Sequence, residues 1–234
     1  MRVRIKFTKN GPLKFVGHLD VMRYFQKAIR RADLPAAYSE GFNPHMIMSF
    51  AYPLGVGVTS SGEYFDLDLT CEMPTSMITS RLNETMAEGI EIVSTIKIPE
   101  NKNSKGMSLV AAADYLVTFR EGLEPEADYK KLLEGFLSQP SIIVLKKTKK
   151  SETETDIRPM IYAMELRDDG IFMQVSSGSA NNLKPELVME AFYRFMGEPL
   201  QEFAWMIHRL EIYADIGNEK RNLVPLGSLG EAVE

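Results

Sequence analysis

Between Phe15 and His45 the chain gathers side chains able to hold an anion or move a proton: His18, Asp20, Arg23, Lys27, Arg30, Arg31, Tyr38, Ser39, Asn43 and His45. An imidazole with an unperturbed pKa of ~6.5 exchanges protons in both directions near neutrality. His18, with His45 or Tyr38 as counterpart, is therefore the candidate acid–base pair for RNA cleavage without metal, and Arg23 or Arg31 would hold the charge of a phosphorane. The same residues also make a ligand site with no catalysis. Arg23, Lys27, Arg30 and Arg31 fall at i, i+4, i+7 and i+8, one stripe along a helix. Gly17, His18 and Asp20 stand at its start, where unpaired backbone N–H groups favour an anion. The structural alternative gives them ordinary work: Asp20 or Gly17 caps the helix, His18 holds its first turn by a backbone hydrogen bond, and Tyr38 and Phe42 plug the core. A second anion candidate is the 176–184 loop, where Asn181, Asn182 and Lys184 precede Pro185; capping by an asparagine is the simpler use there.

The charge balance points the same way. Residues 1–50 carry Arg2, Arg4, Lys6, Lys9, Lys14, Arg23, Lys27, Arg30 and Arg31 against Asp20, Asp33 and Glu40, nine against three, or +6. The whole chain of 234 residues has a net charge of −5 and a pI near 5.4. This excludes a generic nucleic-acid coat and leaves a local basic surface for an anionic ligand or an acidic partner, or two halves that neutralise each other. One cysteine, Cys71, cannot build an intrachain disulfide, an iron–sulfur cluster or a four-thiolate zinc site. Phosphate-cradling glycine loops, H-E-x-x-H and serine elbows are absent. His18, His45 and His208 lack ligand spacing on a helix, so neither a metal nor a cofactor is expected. No apolar run approaches the ~20 residues that cross a bilayer, and MRVRIKFTK alternates where an export signal is continuously apolar. The expected compartment is the cytoplasm. Fourteen methionines read as flexible core filler.

Elements that must position these residues follow from periodicity. Val3, Ile5 and Phe7 alternate with Arg2, Arg4 and Lys6, a strand over about 2–8. Residues 18–33 read as a helix with Pro35 beyond its end, and strands run through Met46, Met48, Phe50 and through Phe65, Leu67, Leu69. A helix over 74–88 and a strand over 90–98 complete β-α-β-β-α-β, the ferredoxin-like order, in which strands one and three are central neighbours. That pairing sets Arg4 and Lys6 opposite Tyr64, Asp66 and Asp68. The polar segment 100–110 reads as a linker. Beyond it come a strand through Tyr115, Val117 and Phe119, a helix over 125–138, and a strand at Ile142 and Val144 running into Lys146-Lys147-Thr148-Lys149-Lys150. A hairpin turning at Asp168-Asp169-Gly170, a helix over 184–196 and a strand over 203–213 follow. The expected fold class is α+β: two tandem ferredoxin-like sandwiches, 1–99 and 111–214, the second with an extra strand, then a flexible tail at 215–234. RNA-binding modules of this topology stack bases on aromatics of strands one and three. Strand one here offers Arg and Lys, so RNA is expected on the basic helix and its loops instead.

The runs Phe15-Val16-Gly17-His18-Leu19-Asp20-Val21-Met22-Arg23, Arg30-Arg31-Ala32-Asp33-Leu34-Pro35, Tyr38-Ser39-Glu40-Gly41-Phe42-Asn43-Pro44-His45, Ser49-Phe50-Ala51 and Ser60-Ser61-Gly62-Glu63-Tyr64 together resemble the bacterial radical SAM-linked protein family. The match is dense over residues 1–70 and sparser later, at Asp156-Ile157-Arg158 and His208-Arg209. One departure is Gly17, where the family pattern often has serine. The resemblance implies a domain of unknown function encoded beside or fused to a radical SAM enzyme, and so a radical SAM partner. The absence of C-x-x-x-C-x-x-C fits an accessory chain that holds no cluster itself. The leading expectation is a non-catalytic accessory protein that binds RNA or another anionic substrate. Two others stay open: a metal-independent endoribonuclease-like enzyme using His18, by fold analogy with CRISPR repeat-processing endoribonucleases, and a pure protein–protein adaptor.

Overall fold

The computed structural model describes residues 1–147, 152–167, 170–179 and 181–234. The fold is α+β and its strands pair largely antiparallel. The chain divides into two compact units, Met1–Ala112 with Arg209–Glu234, and Ala113–His208.

In the first unit, alternation along β1 (Arg2–Lys9) sends Val3, Ile5 and Phe7 to one face and Arg2, Arg4 and Lys6 to the other. β1 lies between β3 (Thr59–Asp68) and β4 (Ile92–Ile98), antiparallel to both, and β2 (Met48–Phe50) borders β3. α1 (His18–Arg31) and α2 (Thr75–Asn83) cover the apolar face. Val21, Phe25 and Ile29 of α1 and Ile78 and Leu82 of α2 pack on Val3, Ile5, Phe7, Phe65 and Leu67. Phe7, Phe25, Phe50 and Phe65 form a ring cluster with centroids 4.7–6.0 Å apart. α1 stops where Asp33 turns left-handed at φ 50°, two residues before Pro35.

Arg4 and Lys6 do lie opposite the 64–68 stretch of β3, Arg4 facing Asp66 and Lys6 facing Tyr64, and Arg2 adds a further pair with Asp68. Their setting differs from the solvent-facing one the alternation suggests, because this face is also covered. Tyr64 packs with Ala51, Val110, Ile212, Ala214 and Leu226. The Arg4–Asp66 pair is sealed at 1% and 4% exposure, with Arg4 also donating to the carbonyls of Ser104 and Leu226.

Of these cover residues, Val110 and Leu226 come from the two segments expected to be a linker and a flexible tail. Within 100–110, α3 (Gly106–Leu109) sets the Gly106 N–H on Asp66 Oδ2 at 2.7 Å. A Cβ at Gly106 would meet Ala51 Cβ at 2.9 Å, which is why this segment carries glycine. β10 (Trp205–Asp215) and β11 (Leu223–Pro225) pair antiparallel, Leu226 is fully buried, and Glu231 and Val233 bond to the backbone of Lys97 and Thr75. Neither segment has apolar periodicity, because its helix, strand and turns are each too short to show one.

The second unit starts on β5 (Val110–Phe119), which crosses the unit boundary, and continues through α4 (Tyr129–Leu137), β6 (Ile143–Lys147), β7 (Glu152–Asp156), β8 (Ile161–Arg167), β9 (Gly170–Ser176) and α5 (Pro185–Met196). Its strand order is β10-β5-β9-β8, and Phe136 of α4 meets Phe192 of α5 at 5.0 Å. Two features differ from the expected order. β7 is an added strand, and β6 pairs with it in a separate two-stranded ladder. The sequence Glu-Thr-Glu-Thr-Asp of β7 has no apolar face to announce a strand. The expected hairpin β8–β9 forms, with Arg167 opposite Gly170, while its Asp168-Asp169 turn and Thr148–Lys150 of the lysine run lie outside the described residues. Among the described residues, no helix is long and apolar enough to cross a membrane.

Candidate basic face and buried charge cluster

α1 buries Val21, Phe25, Ala28 and Ile29, so the residues between them point outward. Arg23, Lys27, Arg30 and Arg31 are all exposed. Arg23 pairs with Asp20 at 3.0 Å; Arg30 Nε donates to the Tyr38 hydroxyl at 3.3 Å and Arg31 Nη2 to the Thr85 carbonyl at 3.1 Å. Among the described residues, no carboxylate forms an ion pair with Lys27, Arg30 or Arg31. Gly17 is the helix N-cap and offers no side chain, while Asp20 sits in the first turn, where a carboxylate suits the helix dipole.

His18 is half-buried at the start of α1, its ring edge-on to Phe50 at 5.1 Å. It shares a small cleft with Phe7, Lys9, Val21, Phe50, Leu54 and Glu63. Burial, and then the Lys9 ammonium, hold His18 below the ordinary imidazole value. Lys9 is itself buried and donates from Nζ to the Val16 carbonyl at 2.8 Å; burial lowers its pKa, Glu63 opposes and Arg209 adds to the lowering. Below it, Arg209 clamps Glu63 with two hydrogen bonds of 2.8 and 3.0 Å, and both groups are buried. Arg209 Nη2 also donates to the Tyr52 carbonyl, and Ser60 Oγ donates to the Arg209 carbonyl. Burial pushes the Glu63 carboxyl up, and Arg209, Ser60 and Lys9 pull it back.

Tyr38 and His45 lie on a different feature. Residues 38–46 form a finger whose two sides meet at the Tyr38–Met46 bridge. Ser39 N donates to the His45 carbonyl at 2.9 Å, His45 N donates to Ser39 Oγ at 3.1 Å, and that hydroxyl lies 2.8 Å from His45 Nδ1. Asn43 is exposed on the finger. His45 borders a cleft of about 220 Å³ with Arg2, Ser49, Asp66, Asp68 and Lys105, separate from the cleft of His18. The expected candidates therefore fall into three places: the basic face with Asp20, the His18 cleft, and the finger. His18 is not brought into contact with His45 or Tyr38 in the contacts described, and Tyr38 and Phe42, at 42% and 105% exposure, are not core plugs.

The 176–184 loop is also corrected. The N-cap of α5 is Lys184 with no side-chain bond, and Asn181 and Asn182 serve through their carbonyls, accepting from Ser176 Oγ and Lys146 Nζ. Among the described residues no cluster of His, Cys, Asp and Glu could hold a metal. Sequence reasoning missed Lys9, Glu63 and Arg209 as a cluster. Glu63 and Arg209 did stand in the runs Ser60–Tyr64 and His208-Arg209, where the only signal was position in a resemblance.

The chain matches, over residues 2–185, the model of a family described as "Uncharacterized protein conserved in bacteria (DUF2344)". It belongs to this DUF2344 family. No curated protein matches the chain. A solved structure titled "Crystal Structure of a Cbf5-Nop10-Gar1 Complex" is similar to it at TM-score 0.44 and 13% identity, covering 90% of this chain and 48% of that one. The DUF2344 chain thus spans about half the length of that structure's chain.

The His18 environment gives a pH signature. Its folded-state pKa is depressed, so below ~6.5 the unfolded chain binds the proton first and stability falls as pH falls. Burial depresses His208 too, and its contribution persists when His18 alone is changed. His18→Gln is expected to flatten the rise of unfolding free energy with pH between about 5 and 7, measured by urea titration at several pH values. Parallel slopes for parent and variant would remove the assignment.

Proposed function

We propose that this DUF2344 chain is a non-catalytic accessory protein of the bacterial cytoplasm that binds RNA or another anionic substrate on the outer face of α1 and works with a radical SAM enzyme. The observation that carries the binding role is the exposure of Arg23, Lys27, Arg30 and Arg31 on one helix face, with only Arg23 engaged by a carboxylate among the described residues. A face of this kind costs self-repulsion unless an anion neutralises it. The radical SAM partner rests on the sequence resemblance alone. The ferredoxin-like reading belongs to the same proposal, supported in the first unit by the order β4-β1-β3-β2 with both helices on one face.

Phosphate contacts release counterions, so RNA affinity should fall steeply with salt. The triple variant Lys27→Glu, Arg30→Glu, Arg31→Glu is expected to lose measurable binding at moderate salt. Its log–log salt slope should shrink by about 2, at roughly 0.7 per phosphate contact on a single strand. A parent protein that binds neither RNA nor a polyanion at low salt, yet copurifies stably with the radical SAM enzyme, would replace this reading with the adaptor.

One observation favours the enzyme as a second reading. His18 is held largely unprotonated at neutral pH beside a buried lysine, which suits a general base. The mechanism would need a counterpart other than His45, whose cleft is separate. RNA cleavage in chelator by the parent and not by His18→Ala is its test.

A further inference from the structure

We infer that the 38–46 finger and the C-terminal half of α1 form a site for single-stranded RNA, in which Phe42 stacks on a base while Arg30, Arg31 and Lys27 hold the phosphates. This rests on the proposed binding role of α1 and adds the strandedness of its ligand. Phe42 stands at 105% exposure, its whole ring in water. Leaving a phenyl ring fully hydrated forgoes about 2 kcal/mol of burial.

The finger holds the ring there by construction. Ser39 and His45 join its two sides through backbone and hydroxyl bonds, the Tyr38–Met46 bridge closes its base, and Gly41 takes φ 108° to turn the tip beside Phe42. A ring with no partner among the described residues, on a loop fixed at both sides, is preorganised to meet something else.

What it meets is indicated by the base of the finger. Tyr38, itself 42% exposed, accepts a hydrogen bond from Arg30, so the aromatic finger and the basic face are joined at one contact. Arg31 follows immediately, and Lys27 lies three residues earlier on the same face. The finger's one carboxylate is Glu40, against these three cations. Phe15, at 66% exposure with Lys14 Nζ 5.2 Å from its ring centre, repeats the pairing of aromatic and cation just before α1. Ring faces interleaved with cations are what a single strand uses: bases stack, and phosphates meet lysine and arginine. A duplex hides its base faces and would gain nothing from Phe42. A protein partner would need to supply both an apolar socket and several carboxylates, whereas each nucleotide brings a base face and a charge together.

The test uses the full chain and three probes: a labelled single-stranded RNA of about ten nucleotides, the duplex of the same sequence, and inorganic polyphosphate. Phe42→Ala is expected to weaken single-strand binding by about 5- to 100-fold and Phe42→Trp to keep it, because stacking needs only a ring face. Neither change should alter duplex or polyphosphate binding. Exposure of the ring means that the thermal midpoint should not move, which separates binding from folding. If the parent binds all three probes alike and Phe42→Ala binds the single strand as the parent does, the single-strand site is wrong while the anion-binding face stands. If the parent binds none of them, both readings fall. If Phe42→Ala weakens only association with a protein, the finger is a protein anchor and the inference is overturned.

Discussion

Arg209→Met is expected to destabilise the first unit by about 3–5 kcal/mol, the cost of a buried carboxylate stripped of its partner. Glu63 is 3% exposed and receives two of its hydrogen bonds from this one guanidinium. Burial already pushes its carboxyl upward, so removal of Arg209 should push it further and drive Glu63 to take a proton. The double replacement Glu63→Gln, Arg209→Met removes the uncompensated charge and should recover a large part of the loss. Urea titration of the parent, both single variants and the double variant measures the coupling. Additive single effects, with no recovery in the double variant, would show that Arg209 acts through packing on Tyr52, whose ring centre lies 4.8 Å from its guanidinium, and not through Glu63.

The cost is high because of where the sheet places these groups. Gly62 lets β10 approach β3: a Cβ there would come within 2.9 Å of Glu211 Cα. That close passage brings Arg209 over Glu63, Glu211 Oε2 to Lys6 Nζ at 2.6 Å and Glu211 Oε1 to the Tyr64 hydroxyl at 2.7 Å. The Tyr64 hydroxyl, buried against this carboxylate, is held far above the ordinary phenol value and stays neutral.

Local periodicity made the first unit legible through Ile98. Val3, Ile5 and Phe7 face the core as alternation requires, and α1 runs His18–Arg31 with the basic stripe outward. The neighbouring of strands one and three set Arg4 and Lys6 opposite Tyr64, Asp66 and Asp68, while the exact register, Arg4 on Asp66, comes from the structure. What alternation could not reveal was a second layer on the polar face, because Arg4, Lys9, Glu63 and Arg209 look like surface residues by type and are buried only through long-range pairing. The same limit applies to the site. The basic face is a property of one helix and was readable, whereas the Glu63–Arg209 clamp joins positions 146 residues apart. Full exposure of Phe42 ran against its type, since a phenylalanine beside turn residues reads as a core plug.

Deletion of residues 216–234 is expected to remove the cooperative unfolding transition of the first unit, although composition and polarity mark that segment as a dispensable tail. Leu226 is fully buried against Tyr64, Ile212 and Ala214, and its carbonyl accepts from Arg4. β11 pairs with residues 213–215 of β10, Glu231 exchanges two backbone bonds with Lys97 on β4, and Val233 bonds to Thr75 at the start of α2. Deletion therefore bares an apolar patch, opens the Arg4–Asp66 pair to water and frees one edge of the sheet. Each of these changes costs on the order of 1–5 kcal/mol, against a total stability of about 5–15 for a domain. Leu226→Ala isolates the packing part and should cost about 2–5 kcal/mol with the fold retained. Far-ultraviolet circular dichroism melts of parent, Leu226→Ala and the truncation give the comparison. A truncated chain that melts as sharply as the parent, within a degree or two of it, would make residues 216–234 an appendage after all.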